Sequence, residues 1–115
     1  MDDIAKELTK QLAQYTTSVE EELENAKEDV TKTGVTALKA ASPKETGSYA
    51  KGWTRKKVGQ DIIVHNRTDY QLTHLLEHGH AKAGGGRVVG IPHIRPVEEQ
   101  MVKEFEERVE KAIKS

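Results

Sequence analysis

The sequence predicts an α+β chain. A long N-terminal helix and a C-terminal helix pack on a small antiparallel sheet, with a short helix and a flexible Gly-rich loop between them. Three observations predict it. An 11-residue apolar repeat runs through the first third of the chain. Two β-rich runs flank a Gly-containing turn near residue 59. A second helical apolar stripe follows two prolines near the end. The 115 residues suit a single domain. It divides into the long helix (1–41), the sheet, short helix and loop (42–96), and the C-terminal helix (97–115).

In the first segment Ile4, Leu8, Leu12, Tyr15, Val19, Leu23, Ala26 and Val30 keep to one face of a nearly straight helix. Ala37 and Leu38 continue that face past Gly34. Glycine costs helix stability without having to end a helix, so a break near Gly34 is the alternative. Ser42-Pro43 ends the run, because the residue before proline avoids the α region. A helix of about 38 residues is about 57 Å long, which points to an extended or assembled protein.

Ser42-Pro43-Lys44-Glu45 fits a capping box with proline at the first helical position. The short turn that follows ends at Gly47 or Gly52. Trp53–Val58, Gly59-Gln60-Asp61 and residues 62–65 then read as a hairpin. Asn66-Arg67-Thr68-Asp69 is a turn able to cap a short helix from Tyr70, with Leu72, Leu75 and Leu76 on its apolar face. Gly79 stops that helix. Residues 81–90 are the loosest part, with 84–86 a flexible triple-glycine loop and 88–91 a possible third strand. Pro96 opens the final helix, whose stripe is Val97, Met101, Phe105, Val109, Ala112 and Ile113.

Apolar residues make up 35% of the chain and the aromatics are few, so the core is thin for the length. Part of the stability is expected to come from a partner subunit. No apolar run is long enough for a transmembrane helix. The acidic Met1-Asp2-Asp3 start lacks the basic region of a secretory signal. The chain has no cysteine, so disulfides, thiolate metal sites and a cysteine nucleophile are excluded. A soluble protein of a reducing compartment is expected. Charge is laid out acidic–basic–acidic, net −4 over residues 1–41, +5 over 42–96 and −2 over 97–115. Such a chain can associate with its own copies through complementary patches.

The sharpest chemical pattern is His74-Leu-Leu-Glu77-His78, an H-x-x-E-H sequence. On a helix, His74 and His78 lie one turn apart and could both bind zinc at about 2.0–2.1 Å. Glu77 could then activate a bound water, with His80 and His93 as further nitrogen donors. This describes a small zinc-dependent hydrolase. Against it, Gly79 stops the helix where a metal-bearing helix should be rigid. The plainer reading places these histidines at a helix end and loop, at a subunit contact. Gly84-Gly85-Gly86-Arg87 suggests a phosphate-cradling loop, but the Lys-Ser/Thr and following helix of a P-loop are missing. Arg55-Lys56-Lys57 beside Trp53 could meet phosphates in a non-catalytic DNA-binding module. The plainer reading is a core Trp53 and a solvated or subunit-facing basic strand. No Ser-His-Asp or paired-carboxylate arrangement stands out.

Three segments in order carry a family resemblance. They are Ser42-Pro-Lys-Glu-Thr46-Gly47-Ser-Tyr49-Ala-Lys-Gly-Trp53, then Tyr70-Gln-Leu-Thr-His-Leu-Leu-Glu77-His78-Gly79-His80, then Pro92-His93-Ile94-Arg95-Pro96. Over roughly residues 35–115 the chain resembles the gp-ten-like head–tail joining, or tail-completion, proteins of long-tailed phages and prophages. It departs from their pattern at Tyr49 (usually Leu), His80 (Thr), His93 (Phe) and Val97 (Ala), and in a longer gap between Tyr70 and Glu77. The resemblance implies a structural, non-enzymatic minor tail protein with no catalytic, cofactor-binding or metal residues and no cofactor. It implies a ring, a hexamer on assembly, that meets tail-tube and head-connector proteins, with incidental contact to DNA in the channel and none to a membrane. The virion is the implied location, and the host cytoplasm during assembly.

Overall fold

The computed structural model describes residues 2–44 and 47–114. Helix α1 spans Asp2–Ala41, about 60 Å. It passes through Gly34 without a break, and packing explains why. Gly34 is buried against the C-terminal helix, and a Cβ there would lie 2.4 Å from Met101 Sδ. Glycine's intrinsic cost, about 1 kcal/mol, is offset by the close approach that it permits. The helix ends where Ser42 N–H donates to the Leu38 carbonyl at 3.0 Å, just before Pro43.

Helix α4 spans Ile94–Lys114 and runs antiparallel along α1. Gly34 faces Met101, Asp29 pairs with Arg108 at 3.0 Å, and Tyr15 O–H donates to the Ile113 carbonyl at 2.7 Å. The two helices form a shaft, and the described chain measures 80 × 21 × 20 Å. No helix among the described residues is long and apolar enough to cross a membrane.

The remaining elements gather at the C-terminal end of α1. Helix α2 is the single turn Ser48–Lys51, entered through Gly47 at φ 80°. Strands β1 (Trp53–Val58) and β2 (Asp61–Asn66) pair antiparallel, Trp53 opposite Asn66 and Val58 opposite Asp61. Gly59 turns the hairpin at φ +61°. After a 3-10 turn at Tyr70–Leu72 comes α3 (Thr73–His78). Strands β3 (Gly79–Ala81) and β4 (Arg87–Val89) form a second small hairpin.

Five sequence expectations change here. Ser42 does not act as a helix N-cap. Ser42 Oγ donates to the Leu38 carbonyl and accepts from Trp53 Nε1 at 2.7 Å, so Ser42 closes α1 and does not open the next helix. Glu45 and Thr46 lie outside the described residues. Asp69 does not cap the next helix either, because its carboxylate accepts from Ser48 Oγ at 2.8 Å. The sheet is two separate two-stranded hairpins, since residues 79–81 supply a strand that sequence pattern did not reveal. The triple glycine is the β3–β4 turn, closed by Lys82 N–H to the Gly86 carbonyl at 3.0 Å. Finally, α4 starts at Ile94, not at Pro96.

The core is small and sits at the junction of shaft and hairpin. Leu38, Tyr49 and Trp53 form it, with Val35, Val64, Leu76, Ile94 and Val97 packed around them. Tyr49 meets Trp53 edge-on at 5.7 Å. The expected core role of Trp53 is realised, and burial of this size is worth about 3–5 kcal/mol on truncation to alanine. By contrast, Ile4, Leu8 and Leu12 in the apolar stripe of α1 are 65%, 59% and 66% exposed.

Candidate functional site

The most constrained chemistry surrounds Glu77, at the end of α3. Its side chain is buried, and its carboxylate accepts three successive backbone N–H groups at the start of α4. Oε1 receives His93 at 2.7 Å and Ile94 at 2.8 Å, and Oε2 receives Arg95 at 3.0 Å. These are donors that a helix N-terminus leaves without intrahelical partners. Pro96 has no N–H to satisfy. A carboxylate also suits the positive end of the helix dipole. Glu77 therefore caps α4 from another element, and this is why α4 starts two residues before Pro96.

His93 stands beside it, 1% exposed. Its Nδ1 lies 2.7 Å from the Ile91 carbonyl and 3.0 Å from Glu77 Oε1, both acceptors, so Nδ1 carries the hydrogen. Nε2 then accepts from Tyr49 O–H at 2.6 Å. Burial, and then the charge of Glu77, push the Tyr49 hydroxyl up to about 12. The phenol is therefore a donor over the ordinary pH range. Burial alone would raise the Glu77 carboxyl. The three backbone N–H bonds and His93 outweigh it and hold Glu77 below the usual carboxylate range. Tyr49 and His93 are two of the positions where the chain departs from the resembling family's Leu and Phe. Here the two departures are partners.

Glycines let the backbone close around this network. Gly79 has φ 80° and ψ 179°, and a Cβ there would sit 2.2 Å from the Val88 carbonyl oxygen. A Cβ on Gly90 would meet the Glu77 carbonyl oxygen at 2.5 Å. Ile91 N–H completes the crossing by donating to the Leu76 carbonyl at 2.8 Å. Gly79 thus does more than stop α3, since it starts β3 where only glycine fits.

The H-x-x-E-H residues border one groove, but the Glu77 carboxylate is already engaged by α4. His74 and His78 are exposed, and their rings stack at 5.9 Å. Glu77 points away, into α4. Its three backbone bonds and His93 occupy about four lone-pair sites, the capacity of a carboxylate. Activating a water would mean uncapping α4. His74, Glu77 and His78 all border one open groove of about 760 Å³, opposite Glu98, Glu99 and Val102. His80 is half-buried on β3. Among the described residues, no group of three or more His, Cys, Asp or Glu could hold a metal ion.

The basic run is split by strand alternation. Arg55 and Lys57 both pair with Glu28 of α1 at 2.6 Å, and together they hold its carboxyl below the usual range. Lys56 is exposed. The acidic helix and basic hairpin are thus matched in part within one chain. Arg87 donates to the His78 carbonyl at 2.9 Å, which ties the second hairpin back to α3.

The Glu77–His93–Tyr49 network was missed by motif reading, which sorted Glu77 with its sequence neighbours. The signal that could have found it is Pro92-His93-Ile94-Arg95-Pro96. A helix entered through that segment has N–H groups that need an acceptor from elsewhere in the chain.

A family model described as "Bacteriophage HK97-gp10, putative tail-component" matches residues 6–79. The match covers most of α1, the first hairpin and α3, and so two of the three resembling segments. The Pro92–Pro96 segment lies beyond it. No curated protein and no solved structure matches the chain. With well over half of its length matched, the chain belongs to the HK97-gp10-like family of bacteriophage tail components.

Proposed function

We propose that the protein is a structural subunit of the head–tail junction, acting in tail completion as one copy of a ring. The single observation that carries this reading is the family match, which runs from the shaft through the first hairpin. The shape supports it. A chain 80 Å long and about 20 Å across, with one small folded end, offers more surface than its core can hold together alone, as suits a subunit that gains stability from neighbours. The acidic shaft also carries surplus charge for the next copy's exposed Lys51, Lys56 and Arg67. Its partners are further copies of itself, in a hexamer on assembly, and the tail-tube and head-connector proteins. DNA passes through the ring without specific contacts. The protein acts in the host cytoplasm during assembly and ends in the virion.

It performs no catalysis and needs no cofactor or metal. Glu77 supports this, because its carboxylate is spent on α4. The test is genetic. Particles made without this chain should accumulate as separate filled heads and finished tails by electron microscopy. Joined, infectious particles in its absence would overturn the reading. Restored joining by a His74→Ala/His78→Ala variant would exclude the zinc-hydrolase alternative.

A further inference from the structure

The apolar stripe of α1 is covered by α4 over only part of its length. The boundary is the Tyr15–Ile113 hydrogen bond, where α4 comes to its end. Before that point α1 runs on alone for about 20 Å. Ile4, Leu8 and Leu12 line this overhang, and Ile113 beside it is 54% exposed. Helical geometry puts Ala5, Thr9, Gln11 and Thr16 on the borders of the stripe and turns Lys6 and Lys10 to the far side. Glu7 is the one charge near the border. Further along α1, Glu20, Glu21, Glu22 and Glu24 show what a solvated face of this helix looks like.

We propose that the overhang binds the overhang of a second copy, antiparallel, so that the partner's α1 continues the course of α4. Because α4 is antiparallel to α1, a second α1 laid antiparallel on the first runs in α4's direction and starts where α4 stops. Its N-terminal turn, with Asp3, then meets the C-terminal turn of α4, with Lys111 and Lys114. Helix dipoles and side-chain charges agree at that junction. A second copy supplies both the matching apolar spacing and the matching terminal charge. The register follows. With the partner's N-terminus level with Tyr15, Ile4 faces Leu12 and Leu8 faces Leu8.

Such a contact is isologous and closes as a pair. A face this short falls below the about 800 Å² per partner of a standard interface, so the pair is reversible and depends on concentration. It occupies the overhang and keeps it from other partners. The inference concerns the free chain and stands apart from the junction reading.

The chain has no cysteine, so single-cysteine variants test it cleanly. Under mild oxidation Leu8→Cys should cross-link at least about tenfold faster than Ile4→Cys or Leu12→Cys alone, and those two should cross-link when mixed. Sedimentation equilibrium should show the native chain rising toward twice the monomer mass with concentration. A Leu8→Gln/Leu12→Gln variant should stay monomeric with unchanged helix content, because both side chains are mostly exposed. Equal cross-linking at all three positions would overturn the proposal. So would a monomer at every concentration, or an oligomer that the double variant leaves intact.

Discussion

Replacing Glu77 by alanine removes the acceptor for three backbone N–H groups, that of His93 buried and those of Ile94 and Arg95 part-buried. Each buried donor left without a partner costs about 1–3 kcal/mol. Water reaching the vacated space recovers some of this, so the net loss is about 3–5 kcal/mol. For a chain of this size that lowers Tm by about 10–20 °C. Glu77→Gln is the sharper probe. Its amide oxygen can keep two of the bonds, but its NH₂ then faces the Arg95 N–H, donor against donor, at about 1–3 kcal/mol. The sign of the pH dependence follows from the lowered carboxyl. Its stabilisation is complete above the ordinary value of 4.5 and is lost as pH falls through the lower folded value. The gap between native protein and Glu77→Gln should therefore narrow as pH drops below about 4.5. Chemical denaturation followed by circular dichroism across pH measures both effects. A Glu77→Ala variant within about 1 kcal/mol of native at neutral pH would refute the capping account.

Four further outcomes follow. Tyr49→Leu and His93→Phe should each destabilise by about 1–3 kcal/mol, and the double variant should lose less than the sum, because it replaces a bonded pair by an apolar one. Native stability should also fall as pH rises from the ordinary tyrosine value of 10 toward about 12, since the folded phenol holds its proton longer, and Tyr49→Phe should lack that loss. Gly34→Leu should destabilise by about 2–4 kcal/mol through overlap with Met101, and combining it with Met101→Ala should recover part of the loss in thermal melts. Ser42→Ala should cost about 1–3 kcal/mol by leaving the buried Trp53 N–H without its acceptor, with a change in Trp53 fluorescence.

Local pattern made the regular elements readable. The 11-residue repeat gave α1, and β-rich runs around Gly59 gave the first hairpin to within a residue or so at each end. What local pattern could not carry is a bond between distant segments. Ser42 looked like the start of a helix because Pro43 and Glu45 follow it, yet Trp53 fixes it at the end of one. Gly34 looked like a weak point because its value lies in Met101, on another helix. His74, Glu77 and His78 looked like a zinc motif because adjacency in sequence says nothing about direction, and Glu77 turns to α4. The β3 strand is three residues long and exists through its pairing with β4, so it had no periodicity to show. The exposed stripe at Ile4, Leu8 and Leu12 was legible as apolar, but only the position of Ile113 shows where its cover ends.

A structural subunit in a ring between head and tail is visible to cryo-electron microscopy of purified virions, with peptide identification to name its chain. A ring of helical shafts built from this chain is expected at the head-proximal end of the tail. Purified, infectious particles that lack this chain would show that it is not such a subunit.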